Sequence, residues 1–182
     1  MSTLSGTALT TWDDFIALPG GEGMDRYELH DGELVEVAPP RPIHIYIQSV
    51  LAEWLTSAAR GSGRAAQEFP YRPATNLQFW RADVAYLPAE DWQRMRTDEY
   101  PVYAPPLIIE ILSPSNRPSS IERQRVCAFS AGTREFWVVD TVKQCIEVSM
   151  PGQPSRVYHV GEHIPVGTLP GVVLSVQLLF EA

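Results

Sequence analysis

Residues 107–112, LIIEIL, are apolar at every position except Glu110. Six residues are short for a helix. An unbroken apolar run of this length, preceded by Pro105 and Pro106 and followed by Pro114, suits a strand in the middle of a sheet with both faces covered. The expectation is a mixed α/β fold. The same run raises a chemical problem, because an unpaired carboxylate inside an apolar strand is costly. A second strand-like stretch, ADVAYL at 82–87, repeats the problem at Asp83. Each carboxylate must meet a cation, a donor or water, or sit at an exposed strand end. A shared divalent ion answers both at once. Magnesium takes oxygen ligands, commonly one or two carboxylates together with water and substrate phosphate, and polarises the phosphate while activating the attacking water.

The rest of the chain supplies the framework. Residues 10–18, TTWDDFIAL, read as a short helix capped by Thr11, with Asp13 and Asp14 in its first turn and Pro19-Gly20-Gly21 as its stop. Stretches 27–29 and 33–37 flank His30-Asp31-Gly32, where the Asp-Gly pair favours a tight hairpin turn. Ile43, Ile47, Val50, Leu51, Trp54, Leu55 and Ala58 recur at three- and four-residue steps, predicting an amphipathic helix that ends near Gly61 and Gly63. Strands are expected at about 65–72, 82–87 and 107–112, then a helix from Ser119 and Ser120 to Ala131, then a strand at 135–140. Shorter strands near 144–149, 155–160 and 172–179 should extend or flank the sheet. Several folds share this order, so it does not settle function.

Length and composition narrow the class. A chain of 182 residues has the size of one domain, expected to span 1–182 with a core at about 12–180. With 45% hydrophobic and 20% charged residues it is neither disordered nor fibrous. Its longest apolar runs fall far short of the roughly 20 residues that span a bilayer. Residues 1–11 lack the basic start and apolar stretch of a secretory signal, which predicts a cytoplasmic protein. Cys127 and Cys145 lack metal or redox spacing and are expected as buried free thiols. The net charge of −8 argues against broad attraction to a polyanion, so any contact with DNA must be local. Thirteen of the fourteen basic residues are arginine, and Lys143 is the single lysine.

Taken in order, the motifs resemble a known family. Tyr27-Glu28-Leu29 with Asp31-Gly32-Glu33-Leu34-Val35, His44 opening a helix, Arg81-Ala82-Asp83-Val84-Ala85, Ile109-Glu110-Ile111-Leu112-Ser113-Pro114-Ser115, and Ala131-Gly132 before Glu135-Phe136-Trp137-Val138-Val139-Asp140 are similar to the Uma-two family. That resemblance implies a restriction-endonuclease-like fold: a mixed central sheet flanked by helices, with an N-terminal hairpin and extra C-terminal strands. It implies that Asp83 and Glu110 are the acidic pair of the PD-(D/E)xK pattern, both catalytic and both ligands of Mg2+ or Mn2+. Ala82 stands where the pattern often has proline. The pattern's lysine, two residues beyond the glutamate, is here Leu112; in the family it often moves to the following helix. The matching helical position, eight residues before Gly132, is Gln124. Glutamine positions water or a phosphate oxygen but supplies neither charge nor a proton. Arg125, four residues from Ile121, is expected to reach the same face, so that Gln124 or Arg125 lies near the scissile phosphate in place of the lysine.

His44 leaves two readings open, a helix-start residue bonded to a neighbour or a group orienting water or phosphate. Glu28 and Glu36 are candidates for the site, though strand carboxylates are more often solvated. Lys143 falls in an expected turn after Asp140. His30, His159 and His163 lack metal-ligand spacing and are assigned no role. Ser113-Pro114-Ser115-Asn116-Arg117 reads as turn and cap, since no base accompanies either serine.

Three functions are weighed. One is a magnesium-dependent endonuclease hydrolysing DNA phosphodiesters, expected as a homodimer. Another is a nuclease-fold protein that binds nucleic acid or protein without catalysis. In the third, Asp83 and Glu110 are simply satisfied by arginines such as Arg81.

Overall fold

The computed structural model describes residues 9–18, 26–113 and 118–180. Helix α1 (Trp12–Ile16) begins where its capping signal predicts. The Thr11 hydroxyl accepts from the Asp14 backbone N–H, and the Asp14 carboxylate accepts from the Thr11 N–H. The expected stop at 19–21 lies outside the described residues. Strands β1 (Tyr27–His30) and β2 (Glu33–Glu36) form the predicted hairpin, with Asp31 and Gly32 at φ +52° and +84° in its turn. Helix α2 (Pro42–Ala58) follows, with proline in its first turn, where its missing N–H costs nothing.

Strands β3 (Gly63–Tyr71) and β4 (Gln78–Pro88) pair antiparallel along nearly their whole length. A short helix, α3 (Ala89–Arg94), leads out of β4; it has only six residues and no periodic apolar pattern to announce it. Strand β5 (Leu107–Ile111) is buried at all five positions, as its composition requires. Helix α4 (Pro118–Ser130) starts one residue before the expected serines, and strand β6 (Glu135–Asp140) pairs parallel with β5. Strands β7 (Cys145–Ser149) and β8 (Arg156–His159) extend the sheet antiparallel. Its order is β2-β1-β4-β5-β6-β7-β8, with β3 also on β4, making eight strands.

The C-terminal part flanks that sheet. Strands β9 (His163–Pro165) and β10 (Val173–Ser175) form their own two-stranded sheet, and residues 177–180 turn into helix α5 (Gln177–Phe180). The strand expected over 172–179 is therefore half helix.

Each sheet face is covered. Helix α2 lays Ile47, Leu51 and Leu55 against Val84, Tyr86, Ile109 and Trp137 on one face. Helix α4 lays Ile121 and Ala128 against Ala82, Ala85, Ile108 and Phe136 on the other. Burying side chains such as Leu51 and Ile109 completely is worth roughly 1.5–3 kcal/mol each. Ile43, which the periodicity assigned to the core, is 49% exposed because it sits in the first turn of α2, beyond the sheet. Cys145 is buried and Cys127 half-buried, and both are free thiols. Among the described residues no helix is long and apolar enough to cross a membrane.

Candidate metal-binding site at Asp83

Strand β4 runs between β3 and β5, since both pair with its residues 84–86. On the β3 side, Gln67 pairs with Val84 and Phe69 with Ala82, which sets Glu68 opposite Asp83. On the β5 side the ladder runs from Tyr86–Leu107 to Val84–Ile109, and its next rung would join Asp83 to Glu110. Three carboxylates thus fall on one rung of three adjacent strands.

The backbone explains how Glu68 and Asp83 leave the core. Along β4, Trp80 and Ala82 face α4, and so do Ala85 and Leu87, while Val84 and Tyr86 face α2. Strict alternation would put Ala82 and Ala85 on opposite faces, so the facing switches at Asp83. Strand β3 switches at the same rung: Ala66, Phe69 and Tyr71 all face α4, and Glu68 between them has φ +49°. Paired irregularities keep the register intact and re-aim one residue from each strand. A left-handed conformation costs a non-glycine residue roughly 1–2 kcal/mol, and such strain clusters at functional sites.

Two groups of partners meet at Asp83. Its Oδ2 accepts from the Ile111 N–H at 2.6 Å, replacing a backbone partner where the β4–β5 ladder stops. Its Oδ1 lies 3.0 Å from His44 Nε2, and the two side chains are 16% and 12% exposed. Helix α2 presents His44 and Gln48 one turn apart on one face. The Gln48 amide donates to the Asp83 carbonyl at 3.2 Å and to the Glu68 carboxylate. Ligand atoms of His44, Glu68 and Asp83 all lie within 4.8 Å of one another.

Glu110 belongs to the other group. It is 6% exposed and accepts from Gln124 Nε2 at 2.8 Å; the same amide reaches the Tyr71 hydroxyl at 3.3 Å. Burial drives the Glu110 pKa well above the ordinary carboxyl range, and the charges of Asp83 and Glu28 push the same way, against the bond from Gln124. Tyr71 is held well above its usual pKa by burial and then by the Glu110 charge. Burial works against the charged form of His44, yet the bond to Asp83 and the charges of Asp83 and Glu68 outweigh it, and its pKa rises.

The structure brings Asp83, Glu110, Gln124 and His44 together. Arg125 goes elsewhere: its guanidinium lies 2.6 Å from Glu147, 2.7 Å from Ser149 and 3.0 Å from Glu122. Glu147 and Ser149 stand on β7, on the side of α4 away from Gln124, because adjacent helical positions diverge by about 100°. The bonds described for Asp83 and Glu110 come from imidazole, amide and backbone donors. Lys143 pairs with Asp140 at 3.1 Å and is 76% exposed.

Glu68, Gln48 and Tyr71 join the site without having been singled out as its members, and Glu28, a candidate from the sequence, lies beside them. Glu28 is only 13% exposed; it accepts from the Arg81 backbone N–H at 2.9 Å and lies 2.6 Å from His30, which stacks on Trp80 at 3.4 Å. Glu36 instead pairs with Arg26 at the surface. For Glu68 a signal does exist in the sequence, the broken alternation of Ala66, Phe69 and Tyr71. Residues 114–117 lie outside the described residues, so the turn assigned there is not described.

The sequence profile of the Uma2 family, described as "Putative restriction endonuclease", matches residues 12–177. Among solved structures, one titled a "putative nuclease belonging to DUF820" from Anabaena variabilis superposes with a TM-score of 0.78 at 24% identity, covering 92% of this chain and 96% of that one. No curated protein shows significant similarity to the chain.

Proposed function

The chain belongs to the Uma2 family, and from that membership together with the acidic rung centred on Asp83 we propose that it is a metal-dependent endonuclease hydrolysing DNA phosphodiester bonds. One observation carries the reading: the registers of β3, β4 and β5 set Glu68, Asp83 and the buried Glu110 on one rung of three adjacent strands. Hard oxygen donors in negative excess fit a divalent cation, which would favour the charged form of Glu110 against its burial and the neighbouring carboxylates. Asp83 and Glu110 are the residues that would hold Mg2+ or Mn2+. When bound, such an ion polarises a phosphate and lowers the pKa of its water.

The chain's own residues do the positioning. Ile111 N–H and His44 fix the Asp83 carboxylate. The Gln124 amide orients Glu110 from the position the pattern gives to lysine, where it would position water or a phosphate oxygen. Arg125, held by Glu147, is left out of the chemistry. The reading takes residues 1–182 as one cytoplasmic domain acting as a homodimer, the symmetric arrangement that suits cutting two antiparallel strands.

Purified protein with Mg2+ or Mn2+ should nick or linearise plasmid DNA, and Asp83→Ala should lose at least about 100-fold of that activity, the scale of removing one group that stabilises a transition state. Activity that survives this change sinks the assignment. A second reading, a nuclease fold that binds without cutting, is favoured by one residue, Gln124 at the lysine position. Calorimetry that finds neither cation bound at millimolar concentration would support it.

A further inference from the structure

We propose that His44 and Glu68, with Asp83, form a second cation position, one that carries an imidazole nitrogen and therefore selects Mn2+ or another transition ion over Mg2+. The inference rests on reading Asp83 as a metal ligand. It concerns the side of that carboxylate away from Glu110.

Four features converge there. His44 Nε2 is 3.0 Å from Asp83 Oδ1, so nitrogen and oxygen donors face the same space. The three ligand atoms lie within 4.8 Å of one another, so small side-chain adjustments would let one ion contact all three at bonding distances near 2.2 Å. Glu68 is solvent-exposed, which leaves coordination positions open for water or a substrate phosphate. The Gln48 amide ties Glu68 to the Asp83 carbonyl and so aims one ligand at the other, as residues behind metal ligands commonly do.

The backbone supplies a fifth, independent argument. Glu68 adopts φ +49° in the interior of a nine-residue strand, at the rung where β4 also breaks its alternation. A surface glutamate that merely solvates itself has no need of this conformation, whereas a carboxylate that must turn out of the pleat toward Asp83 does. Donor chemistry then sets the ion. Magnesium is held by oxygen, whereas transition ions and zinc take imidazole well and manganese accepts it more readily than magnesium does.

The test uses the full chain with Mn2+ as probe and pulsed electron paramagnetic resonance as readout. Bound Mn2+ should show nitrogen coupling, and His44→Asn should erase it. The affinity for Mn2+ should exceed that for Mg2+ by at least about 10-fold, and His44→Asn should narrow this gap. Glu68→Gly should weaken Mn2+ binding by about 10-fold or more while the thermal unfolding temperature holds or rises, because glycine relieves the positive φ. Glu110→Gln should leave the nitrogen coupling in place. Mn2+ that binds without nitrogen coupling, or binds equally well in His44→Asn and Glu68→Gly, overturns the proposal. If Asp83→Ala then still abolishes binding, the nuclease reading stands on Asp83 and Glu110 alone. Wild-type protein that binds no Mn2+ overturns both.

Discussion

Glu68 stands directly opposite Asp83 across the β3–β4 ladder, with its backbone in the left-handed region at φ +49°. The neighbouring pairs, Gln67 with Val84 and Phe69 with Ala82, keep perfect register on either side. The irregularity is therefore confined to the rung that carries the carboxylates. It converts a continuous two-stranded ladder, which would point alternate residues into two apolar cores, into one that delivers two acids to the same edge of the core.

Glu68→Gly should test whether that conformation is under strain. Removing the Cβ relieves roughly 1–2 kcal/mol of left-handed cost, offset by the 0.5–1 kcal/mol that glycine costs in a strand. The metal-free variant is expected to melt at the wild-type temperature or up to about 4 °C above it. A fall of several degrees in calorimetry would show that Glu68 is a stabilising strand residue.

Glu110→Gln should stabilise the metal-free protein at neutral pH. Burial, with the charges of Asp83 and Glu28, raises the Glu110 pKa, so its contribution is fully present below the ordinary carboxyl value of 4.5 and is lost as pH rises through the raised value. Glutamine keeps an acceptor for Gln124 and never ionises. With chelator present, the variant should unfold about 3 °C or more above wild type at pH 8 and match it near pH 4, since 1 kcal/mol moves the midpoint by roughly 2–4 °C in a chain of this size.

His44 has the complementary signature. Its folded pKa is raised despite burial, by Asp83 first and then Glu68, so it stabilises the metal-free fold below its ordinary value of 6.5 and loses that contribution as pH climbs through the raised one. His44→Asn should be less stable than wild type at pH 6, with the gap closing toward alkaline pH. Thermal melts across that range would show it, and a gap independent of pH would contradict the His44–Asp83 contact as an ionic one.

Gln124→Lys places an ammonium beside Glu110, whose charged form it would stabilise. If catalysis lacks a proton donor or a positive charge at that position, plasmid cleavage should rise by about 10-fold or more, a modest share of what positioned acid–base groups contribute. An unchanged rate would mean that the amide already fulfils the role.

What could be read from the sequence follows the range over which each signal acts. The apolar run 107–112 and the periodic Ile47, Leu51 and Leu55 are local patterns, and they identified the central strand and one covering helix directly. Asp83 and Glu110 stood out because charge inside an apolar strand needs an explanation. Glu68 did not, because it lies in GRAAQEFPY, a strand polar enough to be read as solvated. Gln48 falls outside the apolar periodicity of its helix, yet it is buried and bonded to the Asp83 carbonyl. Arg125 shows the opposite limit: it was expected near the scissile phosphate, but Glu147 and Ser149, on a strand farther along the chain, decide where its guanidinium goes. Helix α5 and the β9–β10 pair depend on packing against the sheet through Ile164, Leu174 and Leu179, contacts that no local pattern reveals.

The most direct test of the metal centre is anomalous diffraction from crystals soaked in Mn2+. A peak bonded to the Asp83 carboxylate is expected, on the rung shared with Glu68 and Glu110. No peak at Asp83, in crystals whose Mn2+ concentration saturates the protein in solution, would contradict Asp83 as a metal ligand.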